Sequence, residues 1–302
     1  PFGTNSIYSI TTINGVVIVG GQNGTIARST DNGLTWSSLI TNPFGTNSIY
    51  SITTINGVVI VGGQNGTIAR STDNGLTWSS LITNPFGTNS IYSITTINGV
   101  VIAGGQNGKI ARSTDNGITW GSLITTPFGI SSINKFALSN GALIAVGVSS
   151  RIARSTDNGI TWGSLVTHAL GTSSLNVVTV VNNTVIAAGD NGIIARSTSD
   201  GLTWGNIIST PFGTSHIRAL TTINGVIIAA GESGKMSRST DNGLTWSPLI
   251  TPKPWGTSPI YALTTINGVV IAAGVSGVMA RSTDNGLTWG SLITNPFSTV
   301  AI

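Results

Sequence analysis

The chain has no cysteine. Disulfide frameworks, thiolate metal sites and cysteine nucleophiles are excluded at once. Charge is scarce too: Asp, Glu, Lys and Arg make up 7% of the 302 residues, against about 25% in an average globular protein. A solvated disordered chain needs high charge and few apolar groups. Here 39% of residues are hydrophobic and the mean hydropathy is +0.30, so there is ample apolar surface to bury. No apolar run approaches the ~18 residues of a membrane span, and the longest, such as 57–63, are broken by glycine within a few residues. The sequence pI is near 9.8, but the net charge is only +4. That is not the basic stripe that nucleic-acid binding needs. There is no phosphate loop, no H-E-x-x-H and no cluster of metal-ligand spacing, so no cofactor or metal is expected. The chain starts at Pro1 without a readable signal peptide, and is expected to be a mature form or part of a longer chain or assembly.

What is present is repetition. Residues 1–42 and 43–84 are identical, and 85–126 differ at a few positions. Further copies follow at 127–168, 169–210, 211–253 and 254–295, with Lys253 as the one inserted residue, and a stub at 296–302 begins another copy. Each copy carries four strand signals, in the first Ile7–Ile13, Val16–Gly20, Thr25–Thr30 and Thr35–Ile40. Val, Ile and Thr dominate them, which favours strands, and no helical period is present. Asn14-Gly15, Asn23-Gly24 and Asp31-Asn32-Gly33 separate them, residues that tolerate the positive φ of tight hairpins. Forty glycines, about twice the usual share, fit many such turns. Four short antiparallel strands repeated every ~40 residues predict an all-β chain, a seven-bladed β-propeller of four-stranded blades forming one domain over 1–302. An open β-solenoid is the competing architecture. Each blade is expected to be complete in itself, with blades one and seven packing face to face, unless the stub docks where 1–7 would.

The third turn reads Ser29-Thr30-Asp31-Asn32-Gly33-Leu34-Thr35-Trp36, S-x-D-x-G-x-T-W, and its Trp recurs as Trp78, Trp120, Trp162, Trp204, Trp246 and Trp289. A short carboxylate can accept the backbone N–H groups of its own turn, glycine supplies positive φ, and the Trp returns a large apolar body to the core. Recurrence of Asp31 as Asp73, Asp115, Asp157, Asp241 and Asp284 makes it a turn staple, in preference to a cation ligand or catalytic acid. The fifth copy has Ser199 in the aspartate position and Asp200 after it, so its staple is expected to be weaker. Arg28 recurs as Arg70, Arg112, Arg154, Arg196, Arg238 and Arg281, three residues before the turn Asp, and is expected to brace that Asp or the next blade. The octad resembles the Asp-box, or bacterial neuraminidase repeat, of propeller proteins. The wider G-x-x-G-x-I-A-R-S-T-D-N-G-x-T-W is similar to the repeats of photosystem II assembly and stability factors. The resemblance spans all seven copies.

Where the copies differ, function is sought. Outside the recurring arginines and turn aspartates, six basic residues remain, Lys109, Lys135, Arg151, Arg218, Lys235 and Lys253, and two acidic ones, Asp190 and Glu232; their difference is the whole net charge of +4. In an up-and-down blade all of these fall at one end, with the inter-blade linker and the turn between strands two and three. His168, His216, Trp255 and the four tyrosines, Tyr8, Tyr50, Tyr92 and Tyr261, map there too. Phe2, Phe44, Phe86, Phe128 and Phe212 read as plugs between blades. Aromatics beside mixed polar groups suit a glycan, so the leading expectation is a non-enzymatic, lectin-like or adhesive face. The alternative is a structural or assembly scaffold for a protein partner, which the photosystem-factor resemblance implies. Sequence drift in exposed loops is the bland account. The Asp-box resemblance also implies a sialidase-type glycosidase, and Asp190 with Glu232 could form a carboxylate pair about 5–10 Å apart. No single constellation breaks the repeat as catalysis usually does, so no enzyme is expected. Abundant Ser, Thr, Asn and Gly with few charges resembles extracellular, cell-surface or viral-fibre proteins, and Asn23, Asn65 and Asn182 stand in N-x-S/T sequons.

Overall fold

The structure, a computed structural model, describes residues 2–40, 43–124, 126–166, 170–208 and 211–293. His168 and the 296–302 stub lie outside them.

The first copy shows how each blade is built. β1 (Ile7–Ile13) and β2 (Val16–Gly21) pair from Ile13↔Val16 outward. Asn14 at φ 47 and Gly15 at φ 77 form the two-residue turn between them, whose twist matches that of the strands. β2 then runs through one turn of 3-10 helix, Gln22–Gly24, into β3 (Ile26–Ser29). The same three-strand sheet recurs seven times, ending with β19 (Ile260–Ile266), β20 (Val269–Gly274) and β21 (Met279–Ser282). Every middle strand is buried along its whole length, because both its faces are covered by neighbouring blades. This is why β2 reads as an unbroken apolar run and not as an alternating one.

Among the described residues the expected fourth strand is absent: the blades have three strands. Segment 35–40 does lie along β3, where the Ser37 N–H donates to Arg28 O at 2.8 Å and the Ile40 N–H to Ile26 O at 2.9 Å. Three residues on one side are thus spanned by two on the other, a bulge that breaks the ladder. The return bond is also diverted, since the Arg28 N–H donates to the Ser37 hydroxyl at 3.0 Å and not to a carbonyl.

The first strands of successive blades, β1, β4 (Ile49–Ile55), β7 (Ile91–Ile97), β10 (Ile133–Ser139), β13 (Leu175–Val181), β16 (Ile217–Ile223) and β19, pack side by side, and β19 returns to β1. The array is therefore a closed seven-bladed propeller and not a solenoid. Seven apolar clusters fill the junctions. The closing one joins Phe2, Ile7, Val17 and Trp36 to Ile266, Ile271 and Met279. The five phenylalanines lie buried in these junctions.

One rim carries the aspartate turns. The Ser29 hydroxyl donates to Asp31 Oδ1 at 2.7 Å, and the Thr35 N–H and hydroxyl donate to the same carboxylate at 2.8 and 2.5 Å. In the fifth blade the Ser199 hydroxyl replaces it, accepting the Thr203 N–H at 2.9 Å. Asp200 instead accepts from Ser139 and Asn140 of the preceding blade, at 2.7 and 2.8 Å. The recurring arginine braces the next blade. Arg28 Nε donates to Asn74 O at 2.7 Å, and Arg281 Nε closes the circle on Asn32 O at 2.7 Å. That tip carbonyl is exposed by Asn32 and Gly33, which hold φ of 56 and 79. A Cβ on Gly33 would also stand 2.7 Å from Ile271 of the seventh blade, so both conformation and packing require glycine.

Two predictions follow from the rim. At Asp73, Asp115, Asp157 and Asp284 desolvation pushes the carboxyl up, but the bonds from the neighbouring threonine and serine outweigh it; at Asp241 the Thr245 bonds lead, and all five stand at about 2 against an ordinary 3.8. The folded value lies below the unfolded one, so this stabilisation is complete above about pH 4 and drains away as pH falls through about 2. The melting temperature should be flat above that window and fall inside it, with a smaller fall after Asp73→Asn. Arg281→Met removes one charged donor from the closing junction and should cost about 1 kcal/mol, read as a lower urea midpoint with unchanged slope.

Candidate binding site at the channel mouth

The site is set by an irregularity in every first strand. The β1–β2 register slips between Ile7 and Ser9, which makes Tyr8 the extra residue of a bulge. The same slip occurs in each of the seven blades. The residues at this position, Tyr8, Tyr50, Tyr92, Asn134, Asn176, Arg218 and Tyr261, line a cavity of about 170 Å³ in the central channel. Tyr261, Tyr8, Tyr50 and Tyr92 form a continuous arc, with ring centroids 5.9, 5.8 and 5.6 Å apart. Burial raises Tyr50, with Tyr92 and Tyr8 adding to the shift, and burial also raises Tyr261. Both hydroxyls therefore stay protonated at neutral pH. The other three blades present Asn134, Asn176 and Arg218. The channel is thus aromatic on one side and polar on the other.

On the polar side four predicted residues meet. Arg218 donates to Glu232 Oε1 at 2.8 Å and lies 3.7 Å from Asp190 Oδ1. His216 bridges the same two carboxylates, with Nδ1 2.9 Å from Asp190 and Nε2 3.7 Å from Glu232. Nδ1 is also 3.2 Å from the Asn191 N–H. It accepts from Asn191 when unprotonated and donates to Asp190 when it carries a proton. Asn176 donates to Asp190 Oδ1 at 2.9 Å.

Other predicted residues are spent on backbone. Arg151 donates to Phe128 O at 2.7 Å, Lys235 to Phe212 O at 2.7 Å, and Lys253 to Gly234 O at 2.7 Å. Each pins a second turn to an inter-blade linker. Trp255 is 4% exposed, bonds Gly234 O through Nε1 at 3.0 Å and packs edge-on to Trp289 at 5.0 Å. It fills the plug position of the phenylalanines and offers no surface to a ligand. Lys109 is half-buried at the start of its third strand, away from the channel lining. Lys135 does line the channel. Asn134 and Asn176 were missed from the sequence, although their repeat position, otherwise Tyr or Arg, was the available signal.

Closure, blade number and an asymmetric channel mouth define a β-propeller with one differentiated face. No protein-family model matches the chain, and no curated protein does. Among solved structures it is similar to YCF48 bound to a D1 peptide, at TM-score 0.75 and 20% identity, covering 94% of this chain and 93% of that one. It is also similar to YCF48 from Cyanidioschyzon merolae, at 0.74 and 16% over 92% and 95%. The WD40 propeller domain of Doa1 gives 0.72 and 13% over 92% of each chain. At these identities the likeness is one of fold.

Arg218→Met should leave Asp190 and Glu232 facing each other without their shared cation. The expected loss is about 1 kcal/mol, since all three groups are partly solvated, and Glu232→Gln in the same chain should restore part of it in a double-mutant cycle.

Proposed function

We propose that this chain is a non-enzymatic scaffold whose channel-mouth face docks a peptide segment of a protein partner. The observation that carries the reading is the break in sevenfold symmetry at one position, with four tyrosines opposite Asn134, Asn176 and Arg218. An aromatic arc supplies apolar area at low entropic cost, and the facing amides and guanidinium supply orientation. The likeness to a propeller solved with a peptide supports a protein ligand over a glycan. Glycoside hydrolysis is disfavoured by the carboxylates themselves. Asp190 and Glu232 are both engaged by Arg218 and His216, whereas a hydrolase presents its two carboxyl groups to the scissile bond.

Selection of a displayed random-peptide library on the intact protein tests this, with Tyr50→Ala/Arg218→Ala as the control surface. Peptides that bind the native chain at least tenfold better than the control are expected. Equal enrichment on both, or binding to a glycan array without peptide enrichment, overturns the proposal.

A further inference from the structure

The residue after the channel position is serine in blades one to three, then Lys135, Val177, Ala219 and Ala262. Lys135 is the one charged residue of this series. Where the residue is serine it serves the fold: Ser9, Ser51 and Ser93 accept the N–H of the next blade's first strand, from Ile52, Ile94 and Phe136. Lysine cannot accept, so Lys135 does not replace that contact. Among the described residues its ammonium has no hydrogen-bond or ion-pair partner, although it is half-buried and lines the channel cavity. The other cation of the lining, Arg218, is already shared between two carboxylates. Burial pushes the Lys135 ammonium down from its ordinary value, as expected where a charge is held without compensation.

We propose that the channel at Lys135 is a binding site for a monocarboxylate carrying a short apolar group. The carboxylate is either a free acid from solution or the end of a chain segment entering the channel. One ammonium balances one negative charge. Most neighbouring donors are committed, Asn134 to Leu175 O at 2.9 Å and Asn176 to Asp190 and Ile217 O at 2.9 and 3.2 Å. A dianion would be under-compensated, because Arg218, the other cation of the lining, is already held by Asp190 and Glu232. Ile10, Val177, Leu220, Leu263 and the tyrosine rings offer apolar contact to the remainder of the ligand. The cavity, about 170 Å³, is well above what a single water needs. Where the ligand is a chain end, the site deepens the peptide-docking reading; as a free-acid site it stands without it.

The test compares sodium acetate with sodium chloride at equal ionic strength, on the native chain and on Lys135→Met, followed by thermal melting and by equilibrium dialysis of labelled acetate. Native protein should gain about 2 °C over chloride at roughly tenfold excess over Kd and bind one equivalent. Lys135→Met should melt higher without ligand, because methionine keeps the stem and removes the uncompensated charge, and should bind no acetate. Lys135→Gln is the second variant should methionine prevent folding. N-acetylglycine and its amide separate the sources. Response to both acids marks a site open to free acids, and response to N-acetylglycine alone marks a chain end. An amide as effective as its acid, no response to either acid, or the same response in Lys135→Met overturns the proposal. Lys135→Met leaves the tyrosine arc and Arg218 in place, so its loss of acetate binding is read independently of the peptide selection.

Discussion

A ring of separate three-stranded sheets holds only if each rim is tied to the next, and one charged contact recurs at every junction to help do this. The guanidinium of one blade reaches the tip carbonyl of the next blade's aspartate turn. The carboxylate does not meet the arginine. It shapes the loop by accepting its own backbone and threonine donors, and the shaped loop presents the carbonyl. Two recurring charges of opposite sign therefore work in series through neutral backbone. An ion-pair account of the repeat would misplace both.

That division of labour explains what sequence reading could reach. Blade number and the closed ring followed from the repeat length, and the turn positions from Asn-Gly and Asp-x-Gly. The fourth strand failed for a local reason. Thr35, Trp36 and Ile40 have strand propensity, but a one-residue bulge interrupts the ladder in each blade, joined in the first, second and sixth by a serine hydroxyl that takes the return bond, and neither is visible in propensity. The arginine brace was open between two partners because sequence distance cannot distinguish a bond within a blade from one to the next.

The site was legible in outline. Subtracting the repeat isolated the charges that differ, and Asp190, His216, Arg218 and Glu232 do converge. What composition could not separate was charge held by structure from charge left uncompensated. Arg151, Lys235 and Lys253 serve linker carbonyls that a side-chain pattern does not reveal. Lys135 sits one residue from a bulge that sends its neighbour into the channel, and its isolation depends on that backbone detail. Departures from sevenfold symmetry are informative here only after the contacts that maintain the symmetry have been removed from the count.

The first two copies are identical over 42 residues, so a third party inserted between them would meet the same brace and the same apolar face on either side. Unequal crossing-over in the coding sequence can therefore deliver a ready-made blade, with both flanks already matched. Nothing in a junction counts blades; only the wedge angle of each sheet against its neighbour does. In such a molecule the ring size is a property of curvature, and the differentiated channel is what a change of one blade would alter first.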